Sequence, residues 1–135
     1  YEKVILHQFL EERKINQEPT KSGIYRVVIE QGNGPAVEKG DTVVVHYEGK
    51  FLNGKFFDST IQRKQPFEFV YGQKWQVIEG MEEVIGLMRE GEKALAILPS
   101  DVAFGKTGSS TGIIPPYTSV IYEVKLVEVK QKINN

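Results

Sequence analysis

The sequence predicts an α+β fold in which several antiparallel strands form a sheet that curls over one amphipathic helix. Three observations lead there. Short β-branched and aromatic segments recur along the chain, bounded by Gly, Pro and Asn. A single stretch switches to helical spacing, with Met81, Val84, Ile85 and Met88 at i, i+3, i+4 and i+7. The first seventeen residues carry neither Gly nor Pro and are rich in Glu, Lys, Leu and Gln, which predicts a separate N-terminal helix.

That helix is expected over residues 1 to about 17. Its apolar residues Tyr1, Val4, Ile5, Leu6, Phe9 and Leu10 cover a broad arc, too apolar to stand free in water. It must dock on the domain, pair with another copy or continue a longer stalk. Glu18-Pro19-Thr20-Lys21-Ser22-Gly23 has the chemistry of a linker, so the chain divides into a helix and linker (1–19) and a domain (20–135). Residues 24–31 form the first expected strand, ended by Gly32-Asn33-Gly34-Pro35. Residues 42–51 form the next, with Val43, Val45 and Tyr47 on one face and Val44 and His46 on the other. Asn53-Gly54 is a hairpin signal leading into Lys55-Phe56-Phe57. Strands are also expected at 67–71, 92–98 and 118–130. In the last of these Val120, Tyr122, Val124 and Leu126 alternate before the phase shifts at Val127. Gly91 stands where it would cap the helix that begins near Met81.

Composition narrows the function. The 135 residues are 40% apolar and 26% charged, enough for one domain with a real core. Seventeen Lys and Arg against eighteen Asp and Glu leave a net charge of -1, without the basic excess of a nucleic-acid binder. Without cysteine there is no thiol nucleophile, zinc ribbon or disulfide scaffold. No apolar run reaches the roughly 18 residues of a membrane-spanning helix. The chain opens on Tyr1 rather than Met and reads as a processed or trimmed piece.

Three local patterns lead nowhere. Gly108-Ser109-Ser110-Thr111-Gly112 matches the nucleophile elbow of hydrolases, but Ile113-Ile114-Pro115-Pro116 forbids the helix that must follow it. Both histidines, His7 and His46, also precede the serine. Gly105-Lys106-Thr107 resembles the end of a phosphate-binding loop, yet Ser100 stands where the first glycine belongs. The histidines have no i, i+4 partner, so no metal or other cofactor is expected and His46 reads as a partly buried strand residue.

What remains is a series of apolar patches joined by a few polar residues: Val45-His46-Tyr47-Glu48-Gly49, Gly54-Lys55-Phe56-Phe57-Asp58-Ser59-Thr60, Arg63-Lys64-Gln65-Pro66-Phe67, Val77-Ile78-Glu79-Gly80-Met81-Glu82-Glu83, Ala103-Phe104-Gly105 and Gly112-Ile113-Ile114-Pro115-Pro116. In this order they resemble the FKBP-type peptidyl-prolyl isomerases, the tacrolimus-binding immunophilins, from about Gly23 to Val129. Ser22-Gly23-Ile24-Tyr25 and the helix before it resemble the bacterial, Mip-like members, which carry a helical stalk or dimerisation segment. The resemblance implies an antiparallel half-barrel of five or six strands wrapped around the single helix.

It also implies a pocket. Tyr47, Asp58, Phe57 and Tyr122 are the catalytic candidates; Arg63, Phe67, Val77, Ile78, Met81, Phe104, Ile113 and Ile114 are the substrate-binding ones. By resemblance the substrates are proline-containing polypeptides, tacrolimus-type macrolides are candidate ligands, and the N-terminal helix is a candidate homodimer contact. The stalk favours a bacterial periplasm or envelope and leaves the cytoplasm open. A non-catalytic peptide-binding or chaperone module on the same fold is the alternative, although such a member would be expected to lose Asp58, Tyr47 or the aromatic wall.

Three features depart from the family pattern. Met81 replaces the tryptophan floor of the best-known members, a softer base for the pocket. Phe104 replaces a tyrosine whose hydroxyl bonds the ligand, a net loss of about 0.5 to 1.5 kcal/mol. The stretch between Gly72 and Val77, which carries Trp75 and is expected at the pocket rim, is one residue longer than in the shortest members, as is the loop at Ser109-Ser110-Thr111.

Overall fold

The computed structural model describes residues 1–73 and 76–132 of the chain; the expected rim position of Trp75 lies outside the described residues. The elements follow the order α1 (Glu2–Glu12), β1 (Tyr25–Glu30), β2 (Thr42–Phe51), β3 (Phe56–Ser59), β4 (Phe67–Val70), α2 (Glu79–Gly86), β5 (Lys93–Leu98), a 3-10 turn (Ser100–Val102) and β6 (Val120–Lys130). All strand pairings are antiparallel, in the order β1-β5-β6-β2-β3, and β4 also pairs with β2.

Strand alternation sorts the core onto two sides. Val43, Val45, Phe69, Ala94, Ala96, Leu98, Val120, Tyr122, Val124 and Leu126 pack with Met81, Val84 and Ile85 of α2. Ala94 and Ala96 are small, which lets the helix approach the sheet closely. On the opposite side Ile97 and Ile121 bury Leu6, Phe9 and Leu10 of α1. Of the three fates open to the apolar N-terminal helix, docking on its own domain is the one adopted by this face. Tyr1, Val4 and Ile5 remain exposed.

Two helix ends differ from the sequence-based expectation. α1 stops at Glu12, not near residue 17, because Lys14 takes a left-handed conformation (φ 56°). The Lys14 N–H bonds the Glu11 carbonyl at 3.1 Å and the Ile15 N–H bonds the Leu10 carbonyl at 3.0 Å, the pattern of a Schellman stop. The usual sequence signal for that stop is glycine, and lysine hides it. α2 ends at Gly86, so Gly91 is not its cap. The Arg26 guanidinium instead bonds the Leu87 carbonyl at 3.2 Å, and Gly91 (φ 95°) donates its N–H to Leu126 at 2.8 Å. The phase shift at Val127 is a bulge: Val44 pairs with Glu128 and Val45 with Leu126, which leaves Val127 unpaired and 44% exposed.

Candidate functional site

The site forms where one strand edge is shared. The 42–45 half of β2 pairs with β4, and the 48–50 segment of the same edge pairs with β3. The chain leaves the sheet between them, and Tyr47 sits at the parting. Thr60 secures this point. Its Oγ1 accepts the Tyr47 N–H at 2.8 Å, lies 3.2 Å from the Tyr47 carbonyl, and meets His46 Nδ1 at 2.9 Å. Fully buried, it ties the end of β3 to β2 just beside Tyr47.

Consecutive strand residues ordinarily face opposite ways. Here Gly49 pairs with Asp58 and Lys50 with Phe56, so Phe57 is the extra residue of a bulge. That irregularity lets Phe57 and Asp58 serve the same side. The Phe57 ring lies over Gly49, where a Cβ would come within 2.7 Å of it and 3.0 Å of Tyr122. Glycine is therefore required by space. The Phe57 ring stands edge-on to Tyr122 (5.7 Å between centroids) and to Phe104 (6.4 Å). Asp58 Oδ2 accepts the Tyr47 hydroxyl at 3.1 Å, Asp58 Oδ1 pairs with Arg63, and Arg63 also reaches the Tyr47 oxygen at 3.5 Å.

Tyr47, Asp58, Phe67, Val77, Ile78, Met81, Phe104 and Tyr122 line one cleft of about 870 Å³. Met81 and Tyr122 are buried at its base (3% and 5% exposed), while Tyr47, Asp58, Phe67, Val77, Ile78 and Phe104 are half-buried around it. Ile78 is the residue before the first turn of α2, in extended conformation (φ -65°, ψ 150°), and no acceptor among the described residues receives its N–H. Burial raises the Tyr122 hydroxyl pKa well above its ordinary value, reinforced by Tyr47 and Asp58. Burial also raises that of Tyr47, with Asp58 adding and Arg63 opposing. The bond to Asp58 raises that of Arg63 further. The polar corner is thus two neutral phenols beside a carboxylate and guanidinium that bond each other.

Four residues expected at the site lie elsewhere relative to the cleft. Phe57 stands behind its aromatic wall rather than on the surface. Arg63 is exposed and acts on the cleft through Asp58 and Tyr47. Ile114 is buried in the core (3% exposed), and Ile113 is 57% exposed and lines a neighbouring groove with Ile5 and Tyr117. Gln76, Glu79, Glu82, Asp101, Val102 and Ala103 join the lining. Gln76 is held by β4: its Oε1 accepts the Val70 N–H at 3.0 Å. Among the described residues no three metal-ligating side chains come together, and no helix is long and apolar enough to cross a membrane.

The curled antiparallel sheet over one helix is the fold that the sequence resemblance implies, and comparison with known proteins agrees. Residues 34–127 match the family described as FKBP-type peptidyl-prolyl cis-trans isomerase. A probable FKBP-type peptidyl-prolyl cis-trans isomerase of Haemophilus influenzae is 37% identical over 113 residues, 84% of this chain and 45% of that protein. The peptidyl-prolyl cis-trans isomerase FKBP1A of Xenopus laevis is 40% identical over 109 residues, 80% of this chain and 99% of that protein. The crystal structure of FkpA from Escherichia coli superposes with a TM-score of 0.82 at 30% identity, covering 96% of this chain and 59% of that one. The chain belongs to the FKBP-type peptidyl-prolyl cis-trans isomerase family. It spans about half the length of the Haemophilus relative and nearly the whole of the Xenopus one. Nothing in these likenesses favours a non-catalytic module.

Proposed function

We propose that this protein accelerates rotation about X-Pro peptide bonds in polypeptide substrates, assisting their folding, and that the Tyr47–Asp58–Phe104 cleft is where it does so. The supporting observation is a cleft floored by Met81 and walled by aromatic rings, with the Tyr47–Asp58 pair at one corner and Gln76, Glu79, Glu82 and Asp101 also on its lining. A prolyl amide is planar by resonance, and its barrier is roughly 18 to 20 kcal/mol. Twisting the bond breaks the resonance and lowers the charge separation across N–C=O. Water stabilises the polar planar form, so a dry aromatic surface favours the twisted one by comparison. A gain of about 10⁵ in rate requires lowering the barrier by roughly 7 kcal/mol. No bond is made or broken in such a reaction, so neither nucleophile nor metal is called for.

In this scheme Phe67, Val77, Met81 and Tyr122, backed by Phe57, hold the proline ring. The Ile78 N–H takes a substrate carbonyl beyond the proline. Asp58 and Tyr47 supply the polar side near the rotating carbonyl, with Arg63 holding Asp58 in place. Ile114, in the core cluster that Phe104 packs against, supports the wall from behind, while Ile113 would meet substrate only from the neighbouring groove. Tacrolimus-type macrolides would occupy the same cleft. The chain divides, on this view, into a helix and linker (1–19) and an isomerase domain (20–135). The outer face of α1, with Tyr1, Val4 and Ile5 exposed, is the surface a second copy would cover, and sedimentation distinguishes monomer from dimer. Activity is tested directly by cis-trans exchange of a short X-Pro-Phe peptide with the purified protein; an exchange rate equal to that of peptide alone would refute it.

A further inference from the structure

The cleft wall formed by residues 101–104 is tied to the far side of the sheet through one side chain. Glu2, in the first turn of α1, accepts three hydrogen bonds from the domain. Its Oε2 takes the Ser100 N–H at 2.8 Å and the Ser119 hydroxyl at 2.6 Å; its Oε1 takes the Ser100 hydroxyl at 2.6 Å. Both serines are buried (6% and 3% exposed), so without Glu2 their hydroxyls would be left without an acceptor in a place water scarcely reaches. Bonds to a carboxylate are also stronger than neutral ones.

Ser100 is the hinge of the wall. Its carbonyl accepts the Ala103 N–H at 3.0 Å and the Gly105 N–H at 2.7 Å, folding the chain back on itself. Asp101, Val102, Ala103 and Phe104 lie inside that fold and line the cleft. The Gly105 carbonyl in turn accepts the Tyr117 N–H at 2.9 Å, so the loop leading to Ser119 is fastened to the same fold. Glu2 therefore grips both ends of a closed circuit, Ser100 to Gly105 to Tyr117 to Ser119, that carries one wall of the cleft.

We propose that Glu2 is a positioning residue for the prolyl cleft: by holding Ser100 and Ser119 together from α1, it sets the placement of Phe104 and its neighbours against the substrate. The N-terminal helix is then part of the working site. This inference rests on the cleft being the peptide site, as proposed above.

The test uses the full chain and a short X-Pro-Phe peptide. Peptide Kd is read by NMR titration, cis-trans exchange is read separately, and the amide shifts of residues 101–105 are followed without peptide. In Glu2→Ala the Kd should rise about three- to ten-fold, the worth of roughly one net hydrogen bond, with the exchange rate of bound peptide little changed. The 101–105 amides should move. Glu2→Gln keeps one carbonyl acceptor and should fall between Glu2→Ala and the parent. If Glu2→Ala does not fold, Ser119→Ala, which removes a single bond, should show a smaller rise in the same direction. Parental Kd and parental 101–105 shifts in any folded variant, whatever its melting temperature, would make Glu2 a mere brace for α1 and overturn the proposal. A parent protein that binds peptide without accelerating exchange would instead refute the isomerase function and leave the effect of Glu2 on Kd measurable.

Discussion

The Tyr47 hydroxyl donates to Asp58 Oδ2 at 3.1 Å, across the point where β3 and β4 part from the shared edge of β2. Neither residue is part of a sealed core. Asp58 is about one-third exposed and its partner Arg63 about half, so their pairing contributes little to folding stability, under about 1 kcal/mol. The same pairing holds a carboxylate and a phenol at one corner of the cleft.

From this arrangement Asp58→Ala should lower kcat/KM for a short X-Pro-Phe peptide by about an order of magnitude, or 1.4 kcal/mol in the transition state. The melting temperature should stay close to that of the parent. Parental activity in a folded variant would reduce Asp58 to a solvated residue at the end of a strand.

Gly49→Ala probes the packing behind the wall. The new methyl would press into the Phe57 ring and against Tyr122, two of the rings that shape the cleft. Overpacking of this kind should cost about 1 to 3 kcal/mol of stability. Activity should fall by about tenfold or more, since small misplacements of binding groups are expensive in rate. If chemical denaturation and the exchange assay both match the parent, the close approach of Phe57 to Gly49 is wrong.

Phe104→Tyr restores a hydroxyl where many relatives are expected to carry one. Phe104 lines the cleft and meets Phe57 edge-on. A ligand carbonyl in this region should gain a hydrogen bond, tightening a tacrolimus-type macrolide about two- to twelve-fold by calorimetry. Catalysis of a small peptide should change less. A lower melting temperature with unchanged affinity would mean that the added oxygen is buried without a partner.

The tyrosines give a pH signature. Burial, as the main cause, raises the pKa of both Tyr47 and Tyr122. A raised phenol stays protonated above its ordinary value near 10, so both hydroxyls should survive as pH rises through 10. Followed by NMR, the Tyr47 and Tyr122 hydroxyls should still be protonated above pH 10. Ionisation of Tyr47 and Tyr122 at or below pH 10 while the protein stays folded would contradict the burial of these two.

Much of the fold was legible because alternation is a direct imprint of a two-sided sheet. The bounds of β2 and the phase shift at Val127 follow from which residues must face the core, and the turn at Asn53-Gly54 follows from the positive φ that Gly54 adopts (89°). Helix ends were less legible: Lys14 adopts a conformation that glycine usually marks, and a side chain from β1, Arg26, meets the end of α2. At the site, the family resemblance pointed to the cleft, but local pattern could not foresee that a bulge would turn Phe57 and Asp58 to one side. Nor could it separate the neighbours Ile113 and Ile114, one exposed and one in the core. Thr60 and Glu2 escaped because their partners are fixed by tertiary structure; Glu2 and Ser100 stand 98 positions apart.

Exchange spectroscopy by NMR on an X-Pro-Phe peptide, with the protein at catalytic concentration, bears most directly on whether the cleft lowers the rotation barrier. Uncatalysed exchange takes tens of seconds or more. With the protein present, cis and trans signals should interconvert many times faster, unchanged by a metal chelator and suppressed by a tacrolimus-type macrolide. Peptide that perturbs the signals of Tyr47 and Phe104, yet still exchanges at its uncatalysed rate, would show that the cleft binds proline without catalysing its isomerisation.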